Sequence, residues 1–169
     1  MTSARVLGTT ATTLNRMYAL PFVTQHRRVL SSIAVNLTGA GAAGSNARLG
    51  LYRNADDDNL YPGALRADFG EVDFSSSGVK TIGSLTQVLE ANHCHWFVYH
   101  AEDVRTVRAL NYASGTGINT RTGYGPSLPT TGGIGWYAGS AYASGLPATF
   151  PAVTEMNVDP PLIGLVFSS

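Results

Sequence analysis

A chain of 169 residues with no formal net charge and only 13% charged side chains is long enough for one domain with a real core, and it lacks the basic surplus that electrostatic nucleic-acid binding requires. Its single cysteine, Cys94, excludes an internal disulfide framework. No run approaches the roughly 18 consecutive apolar residues of a spanning helix, so neither nucleic acid nor membrane insertion is expected. A weakly charged chain of this kind tends to associate, which suits an assembled subunit.

The first residues, M-T-S-A-R-V-L-G-T-T, lack the apolar stretch of a secretion signal. The glycosylation sequon Asn36-Leu37-Thr38 is therefore not expected to be used. Ala4 to Met17 is Thr-rich and β-branched, which disfavours a helix. Residues 1–15 read as an extended attachment segment, in which Thr9 to Thr13 either docks on a partner by strand addition or frays. Residues 16–169 read as the folded domain.

Met17 to Val23 is a strand candidate interrupted by Pro21, which predicts an edge position or a bulge. Arg28 to Leu37 is a longer strand. Strict alternation places Val29, Ser31, Ile33, Val35 and Leu37 on one face and Arg28, Leu30, Ser32, Ala34 and Asn36 on the other. Further strands are expected at Ala47 to Arg53, Phe69 to Phe74, Gly78 to Ile82 and Leu85 to Leu89. His93 to Ala101 and Val104 to Tyr112 suggest a hairpin across Glu102-Asp103, and Leu162 to Phe167 a closing strand. Both faces of Cys94 to Val98 are apolar, which puts that strand in a sheet centre or at an interface. Turn signals lie at Asp56 to Asn59, Tyr61-Pro62-Gly63, Ser75 to Gly78 and Gly115 to Gly117. Short strands separated by turns, with no sustained helical period, predict an all-β fold: a single jelly-roll-like antiparallel β-sandwich. Residues 113–161, rich in Gly, Ser, Thr and Pro, form a long loop insertion that still carries Tyr124, Trp136, Tyr137, Tyr142 and Phe150. A disordered linker would be poorer in aromatics, so this loop is expected to be ordered and to meet a ligand, a neighbouring subunit or its own small core.

Residues Asn36 to Tyr52, NLTGAGAAGSNARLGLY, contain G-A-G-A-A-G, the letters of the dinucleotide fingerprint. That motif needs a helix to open at its glycines, so that backbone N–H groups meet the pyrophosphate. Here Ala47, Leu49 and Leu51 recur at period two, which is a strand, and nucleotide binding is not expected. His93 and His95 share one strand face and could ligate a metal, yet Glu90 is not at a diagnostic spacing and His100 falls on the opposite face. In the acidic loop, Asp56 and Asp58 are weak calcium candidates, without the residue order of an EF-hand. No cofactor is otherwise expected.

There is no G-x-S-x-G elbow. A carboxylate pair for glycoside hydrolysis would have to come from Glu71, Asp73, Glu90, Glu102, Asp103, Glu155 or Asp159, and spacing does not pair them. Catalysis is not expected. Tyr124, Trp136, Tyr137 and Tyr142 are the ligand-binding candidates, because such rings stack on sugar faces and hydrogen-bond at their polar tips.

The segments MYALPFV, RVLSSIAVNLTGAGAAGSNARLGLYRN, LYPGALRADFGEVDFSSSGVKTIG and WFVYHA, with the closing MNVDPPLIGLVFS, resemble a β-sandwich module of bacteriophage tail and head fibres. The likeness covers residues 16–112 and 156–168 and rests on strands and turns, with no catalytic signature. It implies a jelly-roll-like receptor-binding or decoration domain of a virion protein, made in the bacterial host cytoplasm and carried on the tail or capsid surface. It also implies a homotrimer at a fibre or spike tip that binds a host-surface glycan or protein, joined to other virion proteins through its N-terminal segment. A carbohydrate-binding or glycan-processing β-sandwich, and a purely structural capsid or tail ornament, are the alternatives.

Overall fold

Residues that alternate apolar and polar, enriched in β-branched and aromatic types, satisfy their backbone groups best by pairing as strands. The computed structural model of the chain describes residues 7–56, 60–109, 135–156 and 158–168. They form β1 (Gly8–Ala11), β2 (Arg16–Val23), β3 (Arg28–Leu37), β4 (Asn46–Asn54), β5 (Pro62–Asp73), β6 (Gly78–Ile82), β7 (Gln87–Leu89), β8 (Cys94–Ala101), β9 (Thr106–Ala109), β10 (Trp136–Gly139), β11 (Thr154–Glu155) and β12 (Ile163–Phe167). One sheet runs β1-β9-β3-β12, with β6 and β7 also paired to β3; the other runs β11-β10-β2-β8-β4-β5. All pairings are antiparallel. The expected all-β sandwich is the fold, and its helical content among the described residues is one 3-10 turn at Tyr142–Ser144.

Two apolar layers hold it. Between the sheets lie Leu30, Ile33, Val35 and Leu37 of β3 against Ala47, Leu49 and Leu51 of β4 and Phe97 and Tyr99 of β8. On the other face of the second sheet, Met17, Ala19, Tyr52, Trp96, Val98 and Ala138 pack against Leu146 and Phe150. The second sheet is therefore covered on both sides, which explains why β8 is apolar on both faces: it lies in the sheet centre, between β2 and β4.

Several sequence expectations are corrected. The strict alternation along β3 breaks at Ser31. Val166 pairs with Ser32 but Phe167 pairs with Leu30, so Ser31 is an extra residue whose hydroxyl donates to the Val166 carbonyl at 3.0 Å. This bulge brings Leu30 into the core, on the side of Ile33, in place of Val29. The expected hairpin of β8 and β9 does not form. The edges of β8 are taken by β2 and β4, and the turn at Glu102 carries the chain across to the first sheet, where β9 pairs with β1.

The strand expected from Phe69 begins instead at Pro62, and Tyr61-Pro62-Gly63 is its entry rather than a separate turn. Repeated register shifts against β4 hid the strand's period. Pro21 sits inside the sheet, paired to Trp96. The described pairing of β10 with β2 runs from Arg16 to Ala19.

The attachment segment and the loop insertion are also partly redrawn. Gly8–Ala11 pairs with β9 of its own chain. Within the region read as a loop insertion, β10 and β11 extend the second sheet, and residues 140–153 lie over its outer face. They are tied down by Tyr52 Oη donating to the Pro147 carbonyl at 2.7 Å and by backbone bonds from Leu65 to Ala148 and from Phe150 to Gly63. Strands of four and two residues carry little period, which is why they read as loop.

Candidate functional site

The G-A-G-A-A-G stretch is a connection between sheets: Gly44, at φ 78°, reverses the chain, and β4 follows where a nucleotide fold would place a helix. Among the described residues, a concave feature lies at one end of the second sheet. On β4, Ala47, Leu49 and Leu51 face the inter-sheet core, so Arg53 continues that face just past its end. Arg53 is paired with His95 of β8, which continues the face of Phe97 and Tyr99 in the same way. On β5, Leu51 pairs with Ala67 and Tyr52 with Leu65, which leaves Arg66 as the extra residue of a bulge. Bulges re-aim side chains, and here Arg66 joins Arg53 and His95.

Together with Asn54, Ala55 and Asp56 after β4, and Glu90, His93 and Cys94 before and at the start of β8, these residues line a cleft of about 600 Å³. Small-molecule pockets span about 300–1,000 Å³. One wall is pinned by Trp96, whose indole N–H donates to Asn54 Oδ1 at 2.9 Å, while Asn54 Nδ2 donates to the Asp56 carbonyl.

His95 is buried, and its Nε2 lies 3.2 Å from the Glu90 carbonyl. A carbonyl only accepts, so Nε2 carries the proton and Nδ1 is a bare acceptor; Nδ1 is buried and has no partner. Burial, opposed by the Glu90 bond and helped by the nearby Arg66 charge, holds this imidazole below its ordinary value and so neutral. Burial pushes the Cys94 thiol up to about 11, which keeps it protonated and a poor nucleophile at neutral pH. His93, His95 and Asp56 do line one cleft, but among the described residues no group of three or more His, Cys, Asp or Glu is arranged to hold a metal.

The aromatic candidates do not converge. Trp136 and Tyr137 are neighbours on β10 and point to opposite faces. Trp136 donates its indole N–H to the Leu60 carbonyl at 2.8 Å and lies 4.6 Å from the Tyr61 ring. Tyr137 packs toward the inter-sheet core under the Arg16 guanidinium, 4.2 Å from the ring centre. Tyr142 is buried. Its hydroxyl donates to Glu71 Oε1 at 3.0 Å and its ring is 5.1 Å from that of His100. Burial first, then that hydrogen bond, raises its phenol well above the ordinary range.

Glu71 and Asp68 are both held by Arg48, at 2.7 Å each, outside the lining of the cleft. Tyr124 and Asp58 lie outside the described residues. His100 does lie on the face opposite His95, with its Nε2 donating to the Ser140 carbonyl at 2.9 Å.

Sequence reasoning missed Arg53 and Arg66. A lone arginine after an alternating apolar run signals a strand end, which was a usable cue for Arg53. Arg66 had none, because a bulge is a property of the pairing and not of the strand. No protein-family model matches the chain, and no curated protein does. Among the described residues no helix is long and apolar enough to cross a membrane.

Proposed function

We propose that this chain is a tip domain of a bacteriophage fibre or spike, a virion protein that binds a host-surface glycan without catalysis. The observation that carries the proposal is the cleft at the sandwich end, where Arg53, Arg66 and His93 present hydrogen-bond donors beside the Asp56 and Glu90 side chains around about 600 Å³. Sugars are recognised by such mixed donor and acceptor sets with a ring to stack on. Tyr61, 38% exposed and tilted against Trp136, is an exposed ring on the β4–β5 connection, outside the cleft lining. The strand and turn resemblance to fibre modules supplies the virion context, the homotrimer and attachment through the N-terminal residues.

A purely structural ornament of capsid or tail is the second reading. It draws on Trp136, Tyr137 and Tyr142 being engaged within the chain's own packing. The pairing of Asp68 and Glu71 on one guanidinium leaves neither of these two as a free acid, so they lend no support to a glycan hydrolase.

The test is light scattering of the purified chain together with a glycan array and an assay for released sugars. A trimer that binds a subset of glycans and releases none is the expected result. A monomer that binds no glycan overturns the proposal, and sugar release overturns its non-catalytic part. Truncation should stop before Gly8, since β1 belongs to the sandwich.

A further inference from the structure

We infer that the ligand of this cleft is an acidic sugar whose carboxylate is held by Arg53 and Arg66. The inference rests on the glycan-receptor reading above and specifies it. Among the described residues, Arg53 and Arg66 make no ion pair, as is also true of Arg16, Arg28 and Arg108, but only Arg53 and Arg66 of these line the cleft. Two guanidinium groups thus share one concavity with no ion pair to a described carboxylate. The Glu90 carboxylate is drawn toward Arg27, which is outside the cleft, at 3.9 Å.

A planar guanidinium fork matches a planar carboxylate with two parallel N–H···O bonds, and this geometry is more selective than a point charge. Beside the two forks stands neutral His95, with Nδ1 as an unpartnered acceptor. A uronic or sialic acid carries one such carboxylate on a hydroxylated ring, and His93 and Glu90 in the cleft lining offer that ring further hydrogen-bonding partners.

The experiment is calorimetric titration of the full chain with sialyllactose and trigalacturonate. The methyl esters of both serve as uncharged matches, sulfolactose as a sulfate match and lactose as a neutral one. The carboxylated sugars should bind, and more weakly as salt rises, because exposed charges are screened. Each methyl ester should bind at least about tenfold more weakly, as should the acids to Arg53→Gln or Arg66→Gln, since hydrogen bonds between charged groups are the stronger class. Arg108→Gln, at an arginine outside the cleft and in the other sheet, should bind as the parent does. Thermal midpoints check that the variants fold, and the ester comparison uses the parent chain alone.

Equal affinity for acids and esters, or no loss in either arginine variant, overturns the charge inference while leaving the receptor reading in place. Sulfolactose binding as tightly as the carboxylates overturns the carboxylate assignment. Silence toward every sugar here and on the array overturns the receptor reading itself.

Discussion

Leu146 lies directly on Gly50: a side-chain carbon added at Gly50 would come 2.2 Å from Leu146 Cδ1. Gly50 points out of the second sheet between Leu49 and Leu51, which point in, and the missing side chain lets residues 140–153 settle on the sheet. Covering that face buries Tyr52, Trp96 and Val98.

Gly50→Ala should therefore destabilise the chain by about 1–3 kcal/mol, the usual effect of forcing atoms into a filled core. Leu146→Ala alone should destabilise by leaving a cavity. The double variant should be less destabilised than the sum, because the second change makes room for the first. Urea unfolding of the three variants measures this, and strict additivity would show that residues 140–153 do not rest on Gly50.

Burial holds the His95 and His100 imidazoles below their ordinary value of 6.5. Above that pH both the folded and the unfolded chain carry neutral rings, and the full stability is present. As pH falls through 6.5, the unfolded chain takes up protons that the folded chain resists, so stability declines until the folded rings protonate. Melting curves from about pH 8 to about pH 5 should show a falling midpoint, with a shallower fall in His100→Gln. A flat profile over this window would mean the rings protonate inside the fold. Asp73, held below its ordinary 3.8 by the Ser75 hydroxyl and backbone N–H, loses its contribution only as pH falls further.

Tyr142→Phe removes one hydroxyl bond from a buried ring to the partly exposed Glu71 carboxylate. It should lower stability by about 1 kcal/mol while leaving the ring contact with His100 in place. Glycan affinity should not change, because Tyr142 is outside the cleft lining. A loss of binding with unchanged stability would return Tyr142 to the ligand site.

Thr12 is buried, and its hydroxyl accepts from the Arg105 N–H at 2.9 Å and donates to the Asp103 carbonyl at 3.3 Å. Thr12→Val keeps the shape and leaves these groups unsatisfied, a change of about 1–3 kcal/mol. Hydrogen exchange should quicken first at Gly8–Ala11 and its partner β9. Unchanged exchange there would show that β1 is anchored by its ladder alone.

Much of the strand inventory was legible because period-two alternation is a local property. Ala47 to Arg53, Gly78 to Ile82 and Leu162 to Phe167 fall within a residue or so of β4, β6 and β12. Illegible were the bulges at Ser31 and Arg66, which exist only relative to a partner strand, and the short β10, whose W-Y-A-G has no period to read. Of the cleft, His93, His95, Glu90 and Asp56 were visible as polar residues at a strand start or in a turn. Their meeting with Arg53 and Arg66 was not.

By itself the sequence determined that this chain is an all-β protein without a disulfide framework, that β8 is covered on both faces, and that G-A-G-A-A-G precedes a strand. Each follows from residue type and local spacing, which act over a few bonds. The tertiary structure alone decided which sheet each strand joins, that β8 and β9 part instead of pairing, and that residues 140–153 cover the second sheet. It also decided that Arg66, His95 and Arg53 stand side by side. Those outcomes depend on how residues far apart in the chain fill each other's space, and no local pattern encodes the shape of a distant partner.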